Sequence, residues 1–326
     1  MPLRIGILTC AHMHCWSYVS CLRGHPDAQI VGIWDDEVER GETFAQQAGI
    51  TYTGYFDDLL AACDAVCITT ENKRHAELGI LAAKAGKHIL CEKPLVTSEE
   101  EGARLLAAVK EAGVVLMTAF PCRFVPAYME LREKVRAGEI GKIRAICATN
   151  RGQCPGGWFI EREKSGGGAM IDHVVHVADL LRDLLQEEPV RVQAQTGSNV
   201  YHQDWEDTAM LTIEFPSGIF ATLDSSWSRP KTYRTWGDVT MNVVGDEGTI
   251  EVDLFGSDAQ LYTLSSSPAH QSQGWGSDAD RAMVEEFVQA CLARREAAVT
   301  GFDGFQAARV ALAGYRSADL GQAVAL

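Results

Sequence analysis

Lys93, Asp172 and His176 are the residues of this chain best suited to move a proton. Lys93 stands between Glu92 and Pro94, and the proline holds the residue before it in extended geometry. Asp172 and His176 are four apart in a stretch of helical pattern, so they project from one helical face. Histidine titrates near neutrality and suits general-base work. A carboxylate one turn away would orient and polarise the ring. A lysine ammonium would hydrogen-bond a substrate oxygen and stabilise an alkoxide as it forms. Such a trio suits removal of a proton from a hydroxyl. The bland alternatives are a solvated loop lysine at Lys93 and a structural helix pair at Asp172 and His176.

The elements that would carry these residues can be read from apolar pattern and punctuation. Residues 3–8, 29–34, 65–69, 88–91 and 114–118 are short apolar runs that read as strands. Helical segments fall between them, and Ser98 with Glu101 marks a helix start at residue 98. Strands alternating with helices predict a doubly wound parallel sheet of the Rossmann type over residues 1–120. From residue 121 to 326 the pattern changes. Alternating runs at 209–215, 219–223 and 240–244 predict an α+β domain with a mostly antiparallel open sheet. The closing helices are expected at 282–294 and 304–318, with packing back on the first domain as one option. Residues 265–277, rich in Ser, Gln and Gly, are expected to form a mobile loop.

Ligands of a doubly wound sheet bind outside the carboxyl ends of its strands. The first such turn runs Thr9-Cys10-Ala11-His12-Met13-His14, where a dinucleotide fingerprint would place glycines at 9, 11 and 14. Ala11 is the smallest change from glycine that still lets backbone approach phosphate, and Thr9 and His14 could donate from their side chains. Asp35 ends the second strand, where an acid accepts from adenosine ribose hydroxyls. Asp36 adds a charge that would repel a 2′-phosphate, so NAD is expected over NADP. The alternatives are a turn that has lost its affinity and a carboxylate pair that merely starts a helix.

Two segments carry a family resemblance: Gly86-Lys87-His88-Ile89-Leu90-Cys91-Glu92-Lys93-Pro94-Leu95 and Gly166-Gly167-Gly168-Ala169-Met170-Ile171-Asp172-His173-Val174-Val175-His176. Both resemble the Gfo/Idh/MocA oxidoreductases, which include inositol dehydrogenase and glucose–fructose oxidoreductase. Thr70-Glu71-Asn72-Lys73-Arg74-His75 is similar to that family's T-P-N-x-x-H segment, with Glu71 for proline. Arg123-Phe124-Val125-Pro126 is similar to its R-F-x-P. The resemblance implies Lys93 near the reacting carbon, with Asp172 and His176 completing the site. It implies cofactor contacts from Thr70, Asn72, His75 and Glu92 beside the first turn (Thr9, Ala11, His12, His14), with Asn72 near the nicotinamide ribose. The activity implied is hydride transfer between NAD and a secondary alcohol of a sugar, inositol or related polyol. An NAD-retaining glycosidase and a non-enzymatic sugar or dinucleotide sensor of the same fold remain as alternatives.

Other candidates are less settled. Arg123 is either a substrate-anchoring cation or a salt-bridge partner. His173 shares the arc of Asp172 and His176 and is a candidate for substrate binding. Tyr233 and Trp236 are the aromatics most suited to a polyol pocket. D-H-x-x-H lacks a clear further ligand, so no metal is expected.

Composition bounds the partners. The 326 residues carry 29 Lys+Arg against 44 Asp+Glu, a net charge of −15 that disfavours nucleic acid. No apolar stretch approaches the roughly 20 residues needed to span a bilayer. The ten cysteines form no C-x-x-C pair and read as small buried hydrophobes of a reducing compartment. A cytoplasmic protein is expected, assembled as a homodimer or homotetramer, with a small sugar or polyol as its ligand.

Overall fold

The apolar runs near the N-terminus become the strands of one parallel sheet. In this computed structural model, residues 1–262, 270–274 and 278–326 are described. β1 (Leu3–Leu8), β2 (Ala28–Trp34), β3 (Ala65–Ile68), β4 (His88–Cys91) and β5 (Leu116–Thr118) lie in the order β2-β1-β3-β4-β5. Every neighbouring pair is parallel. α1 (Cys15–Leu22), α2 (Val38–Ala48), α3 (Phe56–Ala62), α4 (His75–Lys84) and α5 (Glu99–Ala112) connect them. Ile5, Ile7, Val66, Ile68 and Ile89 are fully buried, as expected of strands covered on both faces. Ser98 caps α5 by accepting the Glu101 N–H at 3.2 Å. The strand order reverses direction between β1 and β3, which is where ligands of such sheets bind.

The later part of the chain continues with α6 (Pro126–Arg136), β6 (Ile143–Gly152), α7 (Arg162–Ser165), α8 (Ala169–Leu185), β7 (Arg191–Gly197), β8 (Thr208–Glu214), β9 (Phe220–Ser226), β10 (Gly237–Gly245) and β11 (Thr249–Asp253). β12 (Asp258–Tyr262) and β13 (His270–Gly274) form an antiparallel pair. α9 (Ala279–Ala293), α10 (Gly301–Leu320) and β14 (Val324–Ala325) end it. Seven strands form a second sheet in the order β11-β10-β6-β9-β8-β7-β14. All its pairs are antiparallel except β6 with β9. α8 packs across β6, β8 and β9. Along β8, Ala209, Leu211 and Ile213 are buried and Met210 is exposed; along β9, Ala221 and Leu223 are buried and Phe220 is exposed. That period of two marks a sheet covered on one face.

The chain divides into two units. The first comprises Met1–Pro121, Gly157–Gly166 and Asp280–Arg309; the second comprises Cys122–Gly156, Gly167–Ala279 and Val310–Leu326. Two later segments, Gly157–Gly166 and Asp280–Arg309, thus join the unit expected at residues 1–120, the second carrying part of the closing helices. The expected loop at 265–277 includes β13, and its remaining residues lie outside those described. Among the described residues no helix is long and apolar enough to cross a membrane. The ten cysteines form no disulfide.

Candidate active site

The turn after β1 keeps the shape of a glycine loop without its glycines. Thr9 takes a left-handed backbone, φ 63°, at the first fingerprint position. Its hydroxyl donates to the Thr69 carbonyl at 3.0 Å, and the Thr69 hydroxyl donates back to the Thr9 carbonyl at 2.6 Å. These reciprocal bonds tie together the ends of β1 and β3. They also occupy the buried Thr9 side chain, which therefore does not donate to a cofactor as the sequence suggested. Most amides of the turn are used inside the protein. Thr9 N–H donates to Trp34, His12 N–H to Thr69, Cys15 N–H to His12 and Trp16 N–H to Met13. Cys10 N–H donates to Asp35 and His14 N–H to the His12 ring. The Ala11 carbonyl accepts the Trp158 indole N–H at 3.0 Å.

Glu92 is the hub beneath this turn. Its carboxylate is fully buried and accepts from His14 Nδ1 at 3.0 Å, from the Lys93 N–H at 3.1 Å and from the Tyr18 hydroxyl. Burial alone would push this carboxyl up, but the charge and hydrogen bond of His14, together with Lys93, outweigh it and hold it well below the usual carboxylate range. The same pairing raises the His14 ring against the burial that opposes it. Glu92 is thus a scaffold carboxylate, closed to cofactor. His12 is buried beside Trp158 and Phe159, and burial pushes it down to about 3, so it is neutral. It too is closed to cofactor, whereas the His14 side chain is 38% exposed.

His12, His14 and Glu92 each bring one ligand-type atom within 4.8 Å of the others. Their hydrogen bonds oppose a metal reading. His12 Nδ1 accepts the His14 N–H, so its ring proton sits on Nε2 and that nitrogen has no lone pair to offer. His12 Nε2 makes no hydrogen bond and lies 3.9 Å from Glu92 Oε2.

At the end of β2, Asp35 departs from expectation. It is 1% exposed, and both oxygens are taken: Arg40 bonds each of them, Cys10 N–H bonds Oδ2 and Glu37 N–H bonds Oδ1. Burial opposes its charge, but these donors hold its carboxyl below the ordinary value. No lone pair remains for a ribose hydroxyl while Arg40 stays in place. Arginines also stand nearer than the sequence suggested, because Arg40 and Arg74 both pair with Asp36.

Around the ends of β3 and β4, the Thr70 hydroxyl donates to Glu71. His75 is buried, with Nδ1 2.7 Å from the Pro94 carbonyl and Nε2 3.2 Å from that of Thr70. His75 therefore pins the Glu92-Lys93-Pro94 turn and offers nothing to a cofactor. The Lys93–Pro94 peptide bond is cis, and Lys93 is 5% exposed. Asn72 donates to the Ser165 carbonyl at 2.9 Å, leaving its Oδ1 buried with no hydrogen-bond partner. An orphaned acceptor at a strand's carboxyl end fits a ribose hydroxyl. With the half-exposed His14, it makes this turn compatible with a dinucleotide.

In the second unit the glycine run has a steric cause. A Cβ at Gly167 would lie 2.0 Å from the Tyr315 hydroxyl, and one at Gly168 2.1 Å from the Glu206 carbonyl. The Glu206 carboxylate accepts the N–H groups of Gly168 and Met170, at 2.7 and 3.3 Å, and the Tyr315 hydroxyl at 2.5 Å. It caps the helix that carries Asp172 and His176. Asp172 is 4% exposed and accepts the Trp227 indole N–H at 3.0 Å. His173 Nε2 lies 3.2 Å from Asp172, and its Nδ1 lies 3.0 Å from the Asn150 carbonyl. Both ring nitrogens face acceptors, so His173 is a buried support for Asp172 rather than a substrate ligand. His176, one turn on, is half-buried.

The remaining substrate candidates separate. Trp236 is 50% exposed, and its indole nitrogen stands beside Gly152, against which His173 packs. The ring of Tyr233 is covered by the Arg229 guanidinium at 4.1 Å, a packing role. Arg123 is 8% exposed and forks onto Asp179 at 2.6 and 2.7 Å, with Asp183 at 3.5 Å. It is the salt-bridge partner, not the anchor.

Comparison with known proteins decides the family. Residues 7–120 match the oxidoreductase family with NAD-binding Rossmann fold, and residues 128–251 match the GFO/IDH/MocA C-terminal domain. The chain belongs to the Gfo/Idh/MocA family. It is 32% identical to scyllo-inositol 2-dehydrogenase (NAD(+)) of Bacillus subtilis (strain 168), over 76% of this chain and 71% of that protein. It is 31% identical to 1,5-anhydro-D-fructose reductase of Ensifer adhaerens, over 68% of this chain and 67% of that protein. The crystal structure of GenD2 from gentamicin A biosynthesis, in complex with NAD, superposes with TM-score 0.90 at 26% identity, covering 100% of this chain and 96% of that one. This Gfo/Idh/MocA chain is therefore an oxidoreductase acting on CH–OH groups, with an NAD-binding Rossmann domain.

Several residues that shape the site of this Gfo/Idh/MocA protein carry no motif. Tyr18 and Trp158 hold the first turn; Trp227, Glu206 and Tyr315 hold α8. The one signal in sequence was generic: a buried indole or phenol needs a hydrogen-bond partner, and buried acids are natural acceptors.

Proposed function

We propose that this chain is an NAD-dependent dehydrogenase acting on a secondary alcohol of a sugar, inositol or related polyol. In this reading His176 accepts the hydroxyl proton, Asp172 orients it, and Lys93 hydrogen-bonds the reacting oxygen. A nicotinamide ring, when bound, takes the hydride from carbon as the C–H bond breaks and the carbonyl forms. The observation that carries the reading is the effort spent on holding Asp172: a capped helix start, the Trp227 indole and the His173 ring all converge there. These bonds fix Asp172 one helical turn before His176. Supporting chemistry comes from relatives named for inositol and anhydro-sugar substrates.

NAD is favoured over NADP because Arg40 and Arg74 are already matched by Asp35, Asp36, Glu37 and Glu71. A 2′-phosphate would meet a surplus of negative charge. Thr70 and Ala11 remain cofactor neighbours by position, and Trp236 is the candidate aromatic of the polyol pocket. A homodimer or homotetramer is consistent with the open sheet face, where Met210, Phe220 and Val244 are exposed. Ten cysteines outside any disulfide favour the cytoplasm.

The test is a screen of inositols, sugars and their keto forms with NAD and NADP, following NADH or NADPH absorbance. Turnover of a polyol with NAD supports the proposal. Failure with all polyols, or a clear preference for NADP, contradicts the substrate class or the cofactor choice respectively.

A further inference from the structure

His14 stands at the third fingerprint position, immediately before α1, where a dinucleotide's diphosphate normally rests against backbone amides. Here those amides are largely committed. Thr9, Cys10, His12, His14, Cys15 and Trp16 all donate within the chain, the last four within or directly beneath the turn. His12 Nδ1 takes the place of an anion by accepting the His14 N–H. The anion-binding power of the usual loop is thus reduced, and something else must supply it.

The candidate is the His14 ring. Its Nδ1 donates to the buried Glu92 carboxylate at 3.0 Å, which fixes both the tautomer and the ring's orientation. With Nδ1–H committed, the outer nitrogen decides what a ligand meets. The neutral ring offers a lone pair at Nε2, which repels a phosphate oxygen. The doubly protonated ring offers an N–H, which binds it. The side chain is 38% exposed, so part of the ring is within reach of a ligand.

We infer that the His14 imidazolium, anchored by Glu92, replaces the fingerprint glycines as the diphosphate-binding group of this chain. The inference rests on the reading that a dinucleotide binds at this turn. Burial opposes the charge, but the Glu92 charge and hydrogen bond outweigh it and raise the His14 ring above its ordinary value. The groups facing His14 are Glu92 and Lys93 from the end of β4, His12 from the turn, Tyr18 from α1 and Asp280 from α9. Tyr18 is raised well above its usual value by burial and by Glu92, and His12 is held neutral, so neither competes as the switch. The sign follows: affinity is full below the His14 pKa and falls as pH rises through it.

The experiment is NAD binding to the full-length protein by calorimetry from pH 6 to 10, with wild type and His14→Gln. The variant keeps a donor and every other titrating group, so the difference isolates His14. Wild type is expected to lose roughly ten- to a hundredfold in affinity across the titration, the worth of one charge-assisted hydrogen bond. His14→Gln is expected to bind that much more weakly at pH 6 and to lack this slope. An NMR titration of His14, free and with NAD, should show its pKa rising on binding. That measurement needs no variant. Binding with equal affinity and slope in both proteins, or an unmoved His14 titration, overturns the inference while leaving the dehydrogenase reading intact. Stoichiometric zinc or manganese binding lost in His14→Gln overturns it in favour of a metal site. A wild type that binds no dinucleotide at any pH overturns the dehydrogenase reading itself, and this inference with it.

Discussion

The Glu206 carboxylate accepts the Gly168 N–H at 2.7 Å, joining residues 38 positions apart at the start of the helix that bears Asp172 and His176. The bond places a negative charge at the positive end of that helix, and glycine is needed because a Cβ would strike the Glu206 backbone. Gly168→Ala should destabilise the fold by about 1–3 kcal/mol, the usual cost of overpacking. Glu206→Gln should lower kcat more than it lowers NAD affinity, because it loosens α8 and leaves the first unit alone. Thermal melts and NAD binding of both variants check this. Unchanged stability in Gly168→Ala would show that the helix start can shift freely.

Arg123 and Asp179 make a second test. Both are buried, and the guanidinium forks across the carboxylate. Arg123→Ala leaves Asp179 buried without that partner and should cost about 3–5 kcal/mol of stability. Urea denaturation measures it. A stable variant with only a raised KM would restore the substrate-anchor role.

The buried neutral His12 predicts a pH dependence of stability. Its folded pKa, about 3, lies below its unfolded value near 6.5, so the unfolded chain binds a proton that the folded chain refuses. Stability is full above pH 6.5 and falls on acidification, by about 1.4 kcal/mol per pH unit for this one group. His75, also lowered by burial, adds in the same direction. His14 works oppositely, but its raised pKa acts above 6.5 and leaves this window untouched. His12→Asn keeps an acceptor for the His14 N–H and should flatten the slope between pH 6.5 and 5 by about one group's worth. Equal slopes in wild type and variant would contradict a neutral His12.

Thr9 offers a backbone test. Its φ of 63° costs a non-glycine residue roughly 1–2 kcal/mol, which its hydroxyl bond to Thr69 helps to offset. Thr9→Ala loses the bond and keeps the strain, whereas Thr9→Gly loses both. Denaturation should therefore find Thr9→Gly more stable than Thr9→Ala by about 1 kcal/mol. The reverse order would mean that the turn relaxes when Thr9 is replaced.

What was legible in sequence follows from which forces are local. Apolar runs such as 3–8 and 65–68, and the cap at Ser98, are set within a few residues, and they appear where the pattern put them. Lys93, Asp172 and His176 are proposed from sequence because motif spacing carries them. Asp35 was misread because its partner is chosen by a side chain: Arg40 folds back one helical turn to fork onto it. His75, Glu92 and His173 were misread for a shared reason. Each looks chemically active in sequence, and each is consumed by buried hydrogen bonds to groups distant along the chain. Glu206 and Tyr315 were invisible because only the packed fold brings them to Gly168.

The central claim is that Lys93 and His176 perform proton chemistry on an alcohol oxidised by NAD. The most direct measurement compares wild type, Lys93→Ala and His176→Ala for both kcat on a polyol substrate and NAD affinity. A positioned general acid or base contributes about 100- to 10,000-fold. The account predicts a kcat loss of at least that order in each variant, with NAD affinity within a few-fold of wild type. Wild-type-like turnover in either variant would contradict it.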